Sequence, residues 1–198
     1  MSPARLLCLS LLLPALLACT HNAPSAQADV LLLGETHDNA EGHRMRAAML
    51  RERIEAGWRP AIAMEQFDTD QQAALDAAMA SCADADCVVA KVAPAKSGWT
   101  WPYYTEVIAL ALQYKLPLRA ANLSRADASK VVKGGFAAAV PDALVARYAL
   151  ASLPADLLAA QETEVRDSHC GMLPESMVSP MAKAQIARDV VMAETMRT

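Results

Sequence analysis

Two kinds of pattern alternate along the chain. Short continuous apolar runs at 29–33, 60–64 and 116–121 suit strands buried on both faces. Between the first two, Met45, Met49, Leu50 and Ile54 recur at helical spacing over 40–56, and Gly57 stands where a C-terminal cap belongs. Strand, helix, strand with short connections predicts a βαβ unit and a parallel sheet. An Ala-rich helix follows over 69–80, then a looser segment over 81–98. Pro102 opens a helix running to Tyr114, and Ser124 is placed to cap a further short helix. From Asp142 the pattern is helical with breaks at Pro154, Pro174 and Pro180, ending in an amphipathic run over 181–196. The expected fold class is α/β, a parallel sheet with flanking helices and a largely helical C-terminal half.

The N-terminal pattern is of another kind. Arg5 precedes a dozen apolar residues, 6–18, the length of a signal-peptide core and too short for a bilayer span of about 20 residues. It ends Leu16-Leu17-Ala18-Cys19, which resembles a bacterial lipobox, and predicts a signal peptide over 1–18 with lipidation at Cys19. The competing reading is a plain secretory signal cut nearby. Small polar residues at 19–28 read as a tether, which leaves 29–198 as the domain. Thr20, in place of an inner-membrane-retaining Asp, points to the periplasmic face of an outer membrane.

Composition narrows the function classes. With 54% hydrophobic residues and 20% charged, the chain is not a disordered one. Eighteen Lys and Arg against 22 Asp and Glu give no basic field, so nucleic acid is not an expected partner. No CxxC pair is present, which excludes a zinc ribbon or thioredoxin-type motif. In an exported compartment, Cys82 and Cys87 are close enough to close a small disulfide loop, with two free thiols as the alternative.

Three segments could carry chemistry. Gly34-Glu35-Thr36-His37-Asp38-Asn39 follows the first expected strand, Glu65 and Gln66 close the second, and Asn122 closes the third. Ligands of open parallel sheets bind beyond the carboxyl ends of strands. Glu35, His37 and Glu65, with His43 early in the following helix, could hold a divalent metal or act as an acid/base pair. A buried polar network fixing the turn is the plainer reading. Trp99, Trp101, Tyr103 and Tyr104 gather the aromatics of an aromatic-poor chain into six positions, suited to a flat apolar ligand, an interface or a core plug. A phenolate is also a haem-ligand class. His169 and Cys170 stand beside Gly171 and a Met-rich stretch, fitting adaptable packing around a cofactor or ordinary core.

Together these segments resemble the ChaN-like haem-binding lipoproteins of bacterial iron uptake. The resemblance rests on 32–39, Glu65-Gln66-Phe67, Gly98-Trp99-Thr100-Trp101 with Tyr104, 121–125, His169-Cys170-Gly171, Ala184-Gln185 and Arg188-Asp189, in that order. It implies a lipid-anchored α/β domain that dimerises to enclose two haems of the b type face to face and serves iron uptake beside an outer-membrane haem receptor, with no reaction of its own. In that family a tyrosine of one subunit holds each iron, while a histidine and a lysine of the other help hold propionates. Here this implies Tyr104 as ligand with Tyr103 second, Trp99 and Trp101 as cofactor contacts, His169 as a propionate or distal partner, and Lys96 or Lys183 as the lysine. The wider group, with Tiki proteases and erythromycin esterases, shares the Gly-Glu-x-His turn. It implies the alternative of a metal-dependent hydrolase built on Glu35 and His37. The family pattern continues past the Arg-Asp helix into another strand and a Gly-rich turn with a histidine, so a domain incomplete after Thr198 is the expectation.

Overall fold

The computed structural model describes residues 30–93 and 98–197. The expected signal peptide at 1–18, lipidated Cys19, the tether at 19–28 and Lys96 lie outside the described residues. Residues 1–34 and Glu35–Thr198 form separate units. In the first, 30–34 carry no helix or strand, and Val30 and Leu32 are 54% and 73% exposed. The strand expected over 29–33 is therefore corrected: an apolar run becomes a strand only when a neighbouring strand pairs with it and a sheet face covers it, and Val30 and Leu32 are uncovered.

The second unit opens on helix α1 (Ala40–Glu55), held at its start by Asn39, whose side-chain oxygen accepts the Gly42 N–H at 2.9 Å. His43, Ala47, Leu50 and Ile54 form its buried face. Met45 and Met49, expected in the core, are 59% and 44% exposed. The apolar set was wide enough to fit two stripes, and the stripe through Ile54 is the one that packs. The helix ends in a Schellman motif, Trp58 N–H to Arg53 carbonyl at 2.9 Å and Gly57 N–H to Ile54 carbonyl at 3.0 Å, which the positive φ of Gly57 (104°) permits.

Strand β1 (Ile62–Asp68) pairs in parallel with β2 (Leu118–Asn122). Both were expected two residues or so earlier. The register runs Ile62 opposite Leu118 and Met64 opposite Ala120, then breaks and resumes at Asp68 opposite Asn122. Four steps of β1 thus face two of β2. Within this irregular stretch Gln66 and its neighbour Phe67 are both buried, at 7% and 0% exposed.

Between the strands run α2 (Gln72–Ser81), α3 (Ala85–Val92) and α4 (Thr105–Tyr114), with 3-10 turns at Thr69–Gln71 and Trp101–Tyr103. α3 lies where a loose segment was expected: Asp84 caps it by accepting the Cys87 N–H at 2.8 Å, and a disulfide joins Cys82 to Cys87. Phe67, Ile54, Leu75, Val88, Ile108, Leu110 and Leu118 form the core around the sheet, with Tyr104 among them. After β2, Ser124 caps α5 (Arg125–Gly134) through the Asp127 N–H. Helices α6 (Asp142–Arg147), α7 (Ala155–Ser168) and α8 (Glu175–Arg197) complete the helical C-terminal half.

Helix α8 packs against β2, α5 and α7. Pro180, expected as a break, lies inside α8. A proline there removes one backbone hydrogen bond near the start of a 23-residue helix. Burial of Val178 and Ala182 with Val165 of α7 offsets the loss. No helix among the described residues is long and apolar enough to cross a membrane.

Truncating the fully buried ring at the register break is the sharpest test of this core. Phe67→Ala is expected to lower unfolding stability by about 3–5 kcal/mol, read from the urea midpoint at constant m.

Candidate functional site

The turn before α1 delivers Glu35 into a set of donors. Its Oε1 accepts from His37 Nδ1 at 2.7 Å, from the Tyr104 hydroxyl at 2.8 Å and from Gln66 Nε2 at 3.3 Å. Its Oε2 accepts from Arg46 Nη2 at 2.7 Å. The turn, α1, the irregular part of β1 and the aromatic segment before α4 therefore meet on one carboxylate, whose side chain is 13% exposed.

Two histidine tautomers follow from this pattern. His43, 5% exposed, faces the His37 carbonyl through Nε2 at 3.0 Å and Arg46 Nη2 through Nδ1 at 2.7 Å. A carbonyl only accepts and a guanidinium only donates, so Nε2 carries the hydrogen, Nδ1 is bare and the ring is neutral. His37 faces a carboxylate through Nδ1, so Nδ1 carries its hydrogen and Nε2 is left with the lone pair. Its side chain is 61% exposed.

Aromatic rings pack around these groups. His43 stacks on Tyr103 at 4.7 Å between centroids and meets Tyr104 edge-on at 4.9 Å. Trp99 meets His37 edge-on at 4.9 Å and Tyr104 at 5.8 Å, and Trp101 lies 5.2 Å from Phe67. Burial, then the hydrogen bond to Glu35, holds the Tyr104 phenol well above its ordinary ionisation range. Trp99, Trp101 and Tyr103 are half-buried against the core.

Glu65 stands at the edge of the network, its Oε1 3.9 Å from His37 Nδ1. Burial is the largest influence on its carboxyl and raises it, opposed by His37 and Arg188 and reinforced by Glu35. Asp68 is raised for the same first reason. Ligand atoms of Glu35, His37 and Glu65 lie within 4.8 Å of one another, close enough to share a cation. Such a cation would compete with Arg46, already bonded to Glu35.

The expected residues thus divide. Glu35, His37 and Glu65 come together. His43 joins them without being a free ligand, since both of its nitrogens are engaged. Tyr104, expected to face an iron, is turned inward at 4% exposed with its hydroxyl spent on Glu35. Asn122 accepts from Arg188 Nη1 of α8 at 2.8 Å and does not contact Glu35. His169 caps α7, its Nδ1 donating to the Val165 carbonyl at 2.8 Å, and the structure does not bring it into the Glu35 network. Cys170 beside it is an exposed free thiol, and Lys183 lies half-buried on α8. The residue missed in the sequence is Arg46. Its signal was the three-residue spacing from His43, which puts both on one helix face.

Removing Arg46 strips one oxygen of a nearly buried carboxylate of its charged partner. Arg46→Met is expected to cost about 3 kcal/mol, and the double variant with Glu35→Gln is expected to cost clearly less than the two singles added together, measured by urea unfolding at pH 7. Because the folded carboxyl of Glu65 is raised, its ionisation opposes folding as pH climbs above the unfolded carboxylate range. Glu65→Gln is therefore expected to raise Tm by about 1–3 °C at pH 7, with the gain shrinking towards pH 4.

Comparison with known proteins agrees with this reading of the fold. No curated protein matches the chain. Among solved structures it is similar to "Cofacial heme binding to ChaN of Campylobacter jejuni", with TM-score 0.65 and 19% identity over 85% of this chain, a likeness of fold. The chain spans 65% of the length of that protein. The sequence model of one family, described as haem-binding uptake, Tiki superfamily, ChaN, matches residues 23–198, and the chain belongs to that family.

Proposed function

We propose that the protein binds haem in the course of bacterial iron uptake, as a carrier without a reaction of its own. Membership of the haem-binding uptake family is the observation that carries the reading. The donor set fits the group: half-buried Trp99, Trp101 and Tyr103 offer flat apolar contact next to oxygen and nitrogen donors. Haem of the b type would supply an iron able to take a phenolate oxygen.

The tyrosine ligand comes from the aromatic segment. Among the described residues no hydrogen bond engages the Tyr103 hydroxyl, whereas Tyr104 is tied to Glu35. These contacts favour Tyr103 over Tyr104 as the phenol that would reach an iron. His169 donates from Nδ1 to a backbone carbonyl, so it would hold a propionate of haem shared with a second copy only by donating from Nε2 as the doubly protonated ring, with Lys96 or Lys183 as the accompanying cation. Acylated Cys19 anchors the protein on the periplasmic face of the outer membrane, within reach of a haem receptor there. A hydrolase at Glu35 and His37 is the less favoured use of the site, because Arg46 and Tyr104 already engage the carboxylate that such chemistry would need.

Haemin titration of the purified chain tests the reading. Saturable uptake at micromolar haemin is expected, with dimerisation of the loaded protein in sedimentation. Tyr103→Phe is expected to weaken binding about tenfold, equivalent to about 1.4 kcal/mol. A folded protein that leaves the haemin spectrum unchanged overturns it.

A further inference from the structure

We infer that His43 is the positioning residue of the Tyr103 phenol: a neutral imidazole, locked at both ring nitrogens, whose face orients that phenol and leaves its oxygen free. The inference rests on the haem reading above and adds to it the group that directs the oxygen ligand.

The turn that carries the two tyrosines sends them apart. Trp101–Tyr103 is a 3-10 turn followed directly by Tyr104, and in such a turn neighbouring side chains diverge by roughly 120°. His43 touches both. It meets Tyr104 edge-on, with the planes at 84°, and lies against Tyr103 at 4.7 Å with the planes only 20° apart. Tyr104 has a second restraint in its hydrogen bond to Glu35 at 2.8 Å. Among the described residues the Tyr103 hydroxyl has none, so beyond its packing on the core the ring is oriented by the imidazole face.

One ring directs another only if it is itself fixed, and His43 is. It lies on the buried face of α1 at 5% exposed. Its Nε2 donates to the His37 carbonyl at 3.0 Å, and its Nδ1 accepts from Arg46 Nη2 at 2.7 Å. Arg46 is held in turn by Glu35 at 2.7 Å. Rotating the imidazole would break both of its bonds and leave a buried donor and acceptor unpaired. Orientation through a face also differs in kind from orientation through a hydroxyl. A phenol aimed by its own hydrogen bond has to give that bond up before its oxygen can reach iron, as Tyr104 would with Glu35. A phenol aimed by its ring does not.

Two substitutions separate the ring from its hydrogen bonds. His43→Phe keeps a flat face and drops both bonds, whereas His43→Gln keeps a donor and an acceptor and drops the face. The full chain, these two variants and Tyr103→Phe are loaded with haemin and read by resonance Raman in the phenolate-to-iron charge-transfer band. Haem release is followed by transfer to excess apomyoglobin, and folding by circular dichroism. The unmodified protein is expected to show the phenolate band, Tyr103→Phe to lose it and His43→Phe to keep it. His43→Gln is expected to broaden or shift the band and to release haem about tenfold faster. NMR of the haem-free unmodified protein with isotope-labelled tyrosine, which needs no change at the buried position, is expected to give a nuclear Overhauser contact between the Tyr103 and His43 rings. Loss of the band in folded His43→Phe, an unchanged band and release rate in folded His43→Gln, or no such ring contact overturns the inference while the haem reading stands. So does a phenolate band that is absent from the loaded protein or survives Tyr103→Phe. If the folded unmodified protein takes up no haem, both fall.

Discussion

One carboxylate organises this end of the molecule. Glu35 accepts from His37, Tyr104, Gln66 and Arg46, which come from four separate pieces of chain. A largely buried carboxylate is tolerated only when hydrogen-bonded and paired with positive charge, and here each neighbour that meets the need is thereby fixed in place. His43 is neutral because Arg46, committed to Glu35, occupies its Nδ1. Tyr103 is oriented because it stacks on that neutral ring. The packing around the aromatic segment is thus built outward from one buried charge.

The same constraint explains why the aromatic segment is two things at once. Tyr104 belongs to the hydrophobic core and to the polar network, its ring among Ile108 and Phe67 and its hydroxyl on Glu35. Its neighbours Trp99, Trp101 and Tyr103 lie only partly covered against that core. Of the alternatives read from spacing, the core plug is met by Tyr104, while the partly covered rings beside it are the outer layer of the same segment.

Much of the fold was legible in the sequence where the pattern has a single physical cause. Strands at 60–64 and 116–121 were marked by short apolar runs between turn residues, and Gly57 and Ser124 sit at helix ends because their chemistry caps backbone groups. What misled was ambiguity of cause. The run at 29–33 is apolar without being paired, Met45 and Met49 fit a helical stripe that faces outward, and Pro180 is carried by packing on α7. At the site, Glu65 was legible as a polar residue of β1, while Glu35 and His37, expected at a strand end, meet it from the turn before α1. The inward turn of Tyr104 was not legible, since nothing local distinguishes it from Tyr103; a contact 69 residues away decides it.

The mismatch between Met64–Asp68 and Ala120–Asn122 couples two parts of the molecule. Gln66 reaches the Glu35 carboxylate and Phe67 fills the core from within the same irregular stretch. A substitution that shifts the pairing here disturbs the polar network and the core at once, so neither can be retuned without the other registering it.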